Sequence, residues 1–94
     1  MNEDRFESIW DAIEASPEAA ANMKAKAALM IAIREAAEGW CLTQAEAARR
    51  LGVTQPRLND LLRGRIEKFS LDALMNLASR AGLAVRIDVA PRAA

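Results

Sequence analysis

Apolar residues recur along this chain at helical spacing until its final stretch, where the period changes to two. Phe6, Ile9, Trp10 and Ile13 fall at i, i+3, i+4 and i+7, which predicts a short amphipathic helix within residues 1–16. Such a stripe must dock on something: the next helix, a second subunit or a partner protein. Ser16, Pro17 and Glu18 are a cap, a first-turn proline and a favourable acid, so a longer helix should start there. It runs through Met23, Ala27, Met30, Ile33 and Ala37 to about Glu38, with Gly39 expected to end it. Near the other end, Ser70 caps a helix over Leu71 to Ala81, with Leu74, Leu77 and Ala78 inward and Gly82 as the stop. Leu83 to Val89 then alternates, with Val85, Ile87 and Val89 on one face and Arg86 with Asp88 on the other. That segment reads as a strand.

Between these lie residues 43–64, whose pattern is that of two short helices joined by a glycine turn. The Thr43 hydroxyl can cap the first helix while Glu46, three residues on, reaches back to complete a capping box. Ala47 and Leu51 face inward together, and Ala48 is small enough to let a second helix cross closely. Gly52 supplies the left-handed residue that redirects the chain, and Val53 plugs the corner. Thr54 caps the second helix, Pro56 sits in its first turn, Leu58 and Leu61 point to the core, and Gly64 closes it. Gln55, Arg57, Asn59, Asp60 and Arg63 are left facing outward, an assortment suited to base edges and phosphates in a major groove. A plain helical hairpin with a wetted polar face shares the periodicity. It does not require two caps, a small crossing residue and a turn glycine at mutually consistent spacing.

Composition narrows the alternatives. At 94 residues and 52% hydrophobic side chains, the chain suits one compact domain over 1–94, mostly α-helical. There is no histidine and one cysteine, Cys41, so no metal cluster, cofactor cage, disulfide framework or histidine-based triad is expected within one chain. An enzyme is not expected, and Cys41 reads as a small buried filler beside Trp40. No apolar run approaches the roughly 20 residues needed to cross a bilayer, and the acidic start is unlike a signal peptide, so a cytoplasmic location is expected.

The formal net charge is zero, yet the charge is unevenly placed. Residues 1–19 carry six acids against Arg5, net −5. Residues 43–68 carry Arg49, Arg50, Arg57, Arg63, Arg65 and Lys68 against Glu46, Asp60 and Glu67, net +3. A local positive field around the second short helix is what neutralising a phosphate backbone requires.

The helical pair resembles the Cro and phage-repressor (XRE) helix-turn-helix family, in which a glutamine near the start of each helix recurs as a DNA contact. Gln44 and Gln55 occupy those places. The resemblance implies that Gln44 holds phosphate, that Gln55 reads a base, and that cations of the loop Arg65 to Phe69 reach the backbone. Candidate DNA-binding residues are therefore Gln44, Thr54, Gln55, Arg57, Asn59, Asp60, Arg63, Arg65 and Lys68. The leading Phe-x-x-x-Trp-Asp pattern at Phe6 to Asp11 and Ser-Leu-Asp-Ala-Leu at Ser70 to Leu74 are similar to a subgroup of small regulators related to HigA-type antitoxins. That likeness implies autorepression as a dimer and neutralisation of a small ribonuclease toxin.

These readings combine into an all-α, repressor-like bundle of about five helices: a first helix in 1–16, a helical core over 17–81 and a strand at 83–89. A lone strand leaves backbone groups unpaired, so Val85, Arg86, Ile87, Asp88 and Val89 of two copies are expected to pair across a homodimer. Antiparallel pairing about Ile87 sets Arg86 opposite Asp88 twice. Donation of the strand to a different protein stays open. The expected partner is a double-stranded DNA operator, with a protein-interaction module that neutralises a toxin and binds DNA weakly, or a helical scaffold, as the rival readings.

Overall fold

The computed structural model describes residues 16–92. Within them lie four α-helices, α1 (Pro17–Gly39), α2 (Gln44–Leu51), α3 (Gln55–Leu62) and α4 (Leu71–Arg80), with one 3₁₀ turn at Ile66–Lys68. The helix expected within 1–16 falls outside the described residues.

Each helix begins where a hydroxyl meets an otherwise unpaired backbone N–H. Ser16 Oγ accepts from the Ala19 amide at 3.1 Å, and Ser70 Oγ from the Ala73 amide at 3.1 Å. Phe69 and Leu74 stand at the two positions of a hydrophobic staple around the Ser70 cap, and both are buried in the common core. Phe69 is 1% exposed and among the largest fully buried side chains, although it lies in what the sequence marks only as a loop.

The core joins Met30 and Ile33 of α1, Ala47, Ala48 and Leu51 of α2, Leu58 and Leu61 of α3, and Leu74, Leu77 and Ala78 of α4. Buried positions on α1 are Met30, Ile33 and Ala37; Met23 and Ala27 are only half-buried. α1 packs chiefly on α4, while α2 and α3 pack on each other. The two short helices are thereby held against a rigid frame with the outer side of α3 uncovered.

α1 ends at Gly39, as expected, but Trp40 is the cap and it is Cys41 that takes the left-handed conformation at φ 56. The reversal falls two residues after the glycine because the helix keeps its backbone bonds through Trp40, whose amide donates to the Ala37 carbonyl at 3.2 Å. Two expectations do need correction. Cys41, at that reversal, is exposed rather than a buried filler. Residues 83–92 carry no regular secondary structure, so the strand expected at 83–89 is not formed. A ladder needs a second backbone edge, and the described residues offer none. Val85, Ile87 and Val89 are consequently 39%, 75% and 85% exposed. No helix among the described residues is long and apolar enough to cross a membrane.

Candidate nucleic-acid interface

The frame of the site is set by local chemistry at α2. The Glu46 amide donates to Thr43 Oγ1 at 3.2 Å, and the Thr43 amide donates to Glu46 Oε1 at 3.0 Å, completing the capping box. The bond from the Thr43 backbone holds the Glu46 carboxyl below the ordinary glutamate range, helped by the Thr43 hydroxyl and then by Arg49. At the other end Gly52 is left-handed at φ 70, and the Val53 amide closes the turn onto the Ala48 carbonyl at 2.9 Å. Arg80 of α4 reaches across to this corner, its Nη1 donating to the Leu51 carbonyl at 3.1 Å. A positive guanidinium thus sits at the negative end of α2 and ties the turn to the last helix.

α3 begins with Thr54, whose hydroxyl accepts from the Arg57 amide at 3.3 Å, and Pro56 falls in the first turn where its missing N–H costs nothing. Leu58 and Leu61 are buried; Pro56, Asn59, Asp60 and Arg63 stand at i, i+3, i+4 and i+7 on the opposite side. Gln44 and Gln55 each occupy the first position of their helix and are exposed. Thr54, Arg63 and Lys68 are exposed as well, and Asn59 and Asp60 are half-buried at the edges of the same surface.

Besides the capping Thr54, three of the expected contact residues, Arg57, Asp60 and Arg65, are engaged within the protein. Arg57 folds back against the loop, its Nη1 donating to the Lys68 carbonyl at 2.6 Å and its guanidinium lying 3.9 Å from the Phe69 ring centroid. Asp60 approaches Arg65, with Oδ1 to Nη1 at 3.7 Å, and the Arg65 amide donates to the Asp60 carbonyl at 3.0 Å. The nearby guanidinium offsets the repulsion that the Asp60 carboxylate would exert on a phosphate. Arg50 likewise lies over Trp40, 4.0 Å from the ring centroid, which leaves Arg49 as the less constrained member of that pair.

Sequence reasoning misses Arg80 and Phe69. Phe69 carries a signal, an aromatic residue directly before a capping serine. Arg80 has none, because its target lies 29 residues earlier and is a backbone atom.

Comparison with known proteins agrees with this geometry. A family model described as a helix-turn-helix domain matches residues 13–90. A solved structure described as "Putative XRE Family Transcriptional Regulator" superposes with a TM-score of 0.69 at 31% identity, covering 76% of this chain and 80% of that one. No curated protein matches.

Proposed function

The chain belongs to the helix-turn-helix domain family, and from that premise we propose that it is a sequence-specific DNA-binding transcriptional regulator that represses by occlusion as a two-fold dimer. The observation that carries the proposal is the uncovered side of α3, where Gln55, Asn59, Asp60 and Arg63 project polar groups around Pro56 from a braced helix. α3 would enter the major groove. Gln55 and Asn59 match the bidentate edge of adenine, and the Pro56 ring offers an apolar contact for a thymine methyl. Gln44, Arg63, Arg65 and Lys68 would hold the flanking phosphates.

Two-fold binding needs a second copy, and residues 83–89 supply the means. Exposed Ile87 and Val89, on a stretch that forms no ladder among the described residues, favour antiparallel pairing about Ile87, with Arg86 facing Asp88 of the other protomer. Successive half-sites would then lie about 34 Å apart, roughly one turn of duplex. The likeness to HigA-type antitoxins extends the proposal to neutralisation of a small ribonuclease toxin, which co-expression with the product of an adjacent reading frame would test.

The DNA proposal is tested by titrating a selected duplex against a scrambled one. Three cations per subunit, Arg63, Arg65 and Lys68, give six per dimer, so affinity should fall roughly 10³-fold between about 50 and 200 mM salt while the preference between duplexes persists. Loss of preference at every salt concentration would leave only non-specific attraction and refute the proposal.

A further inference from the structure

α1 is apolar on two sides. One meets the core through Met30, Ile33 and Ala37, and the other, Ala25, Ala28, Leu29 and Ala32, does not belong to that buried face. This second side forms the floor of an open apolar groove of about 590 Å³, closed on its flanks by Met75 of α4 and by Val85. Its residues follow one another at i, i+3, i+4 and i+7, and the run of alanines leaves room for large side chains. Exposed Ala21 carries the same row one turn further towards the start of the helix. A helix face of this kind is stable in water only when something covers it.

We propose that the groove seats the chain's own N-terminal segment, residues 1–13, folded back antiparallel along α1. The reversal lies in the right place. α1 starts at Pro17 behind the Ser16 cap, so Glu14 and Ala15 provide the short link that an αα-hairpin needs. At about 1.5 Å per residue, Ala25 lies ~14 Å from Ser16, and a helix returning over the same distance brings Trp10 level with Ala21 and Phe6 level with Ala25. Side chains lean towards the N-terminus of their own helix, which carries the Phe6 ring on towards Ala28. Residue sizes are complementary too: Phe6, Ile9, Trp10 and Ile13 are large where the row on α1 is small.

Charge favours the same seating. Residues 1–15 carry Glu3, Asp4, Glu7, Asp11 and Glu14 against Arg5, whereas Lys24 and Lys26 flank the alanine row and Arg86 lines the groove beside Asp88. A tethered segment also has an advantage over any free competitor, because a short link gives it an effective concentration in the mM range. Docking there would keep the acidic segment on the α1/α4 side of the fold and away from the cations around α3. The inference is independent of DNA binding.

Trp40→Phe leaves Trp10 as the one indole of the full chain, so its fluorescence reports the segment directly. The expected result is a blue-shifted emission with acrylamide quenching several-fold weaker than for free indole, unchanged across a wide dilution series. Ala28 is exposed, so Ala28→Glu puts a carboxylate on the groove floor without disturbing the core and should raise the quenching towards that of free indole. Phe6→Ser, which leaves the groove intact, should do the same while the helical circular dichroism persists. Trp10 fully accessible in the otherwise native chain overturns the inference. So does protection that disappears on dilution, which would assign the groove to a second copy, or protection indifferent to both Ala28→Glu and Phe6→Ser.

Discussion

The Arg57 guanidinium lies against the Phe69 ring, 3.9 Å from its centroid, and closes the loop by donating to the Lys68 carbonyl at 2.6 Å. This pairing turns an expected base reader into a brace between α3 and the loop that precedes α4. Arg57→Ala should therefore cost about 1 kcal/mol of stability, through the lost ring contact and the charge-assisted hydrogen bond. The base preference of the protein should not change, whereas Gln55→Ala should cost about 1 to 3 kcal/mol on the preferred duplex and little on random DNA. Denaturant titration and sequence selection on the two variants check the division of labour. A changed preference in Arg57→Ala would return that residue to the reading surface.

The turn between α2 and α3 depends on Gly52 in two ways. Its φ is +70, and a Cβ there would meet Arg80 Nη1 at 2.8 Å. Gly52→Ala should destabilise by about 1 to 2 kcal/mol, from the left-handed backbone together with displacement of the arginine. Arg80→Ala removes the second cause but not the first, so the double variant should lose less than the sum of the singles. Strict additivity in denaturant melts would show that the Arg80 contact to the corner contributes nothing.

Glu46 makes the capping box sensitive to acid. Because its folded pKa is lowered from the ordinary 4.5, its contribution to stability is present above that value and is lost as pH falls through the lowered one. Glu46→Gln can still accept the Thr43 amide without titrating, so the acid slope of the denaturation free energy should be shallower in that variant. Identical slopes would contradict the capping role of the carboxylate.

Much of this is legible in the sequence because it is local. Thr43 with Glu46, Thr54 with the Arg57 amide, and Ser70 with the Ala73 amide are each separated by three residues, and Gly52 closes a turn within its own helix end. The inward residues Leu74, Leu77 and Ala78 likewise follow from helical period alone. Contacts set by closure of the whole fold are not legible. Helical register puts Arg57 on the outward face of α3, yet the buried ring that captures it is twelve residues on. Cys41 escapes a sequence reading because a glycine two residues earlier is the ordinary helix stop, and the backbone turns one step beyond the cap instead. The period-two pattern at 83–89 describes which side chains share a face; whether a ladder exists depends on a second edge, which the described residues do not contain.

A second copy of the chain would supply that edge. If two copies pair about Ile87, Arg86→Glu sets like charges opposite each other twice and should shift sedimentation towards monomer. Arg86→Glu combined with Asp88→Arg restores opposite charges and should recover the dimer. A dimer indifferent to both variants would place the contact elsewhere.

The most direct measurement is selection of bound duplexes from a random pool, read by sequencing. Reading of bases by the uncovered side of α3 predicts enrichment of a two-fold symmetric motif, with half-sites roughly one helical turn apart and with positions that lose their preference in Gln55→Ala. A pool that emerges without enrichment, or the same motif recovered from Gln55→Ala, would contradict it.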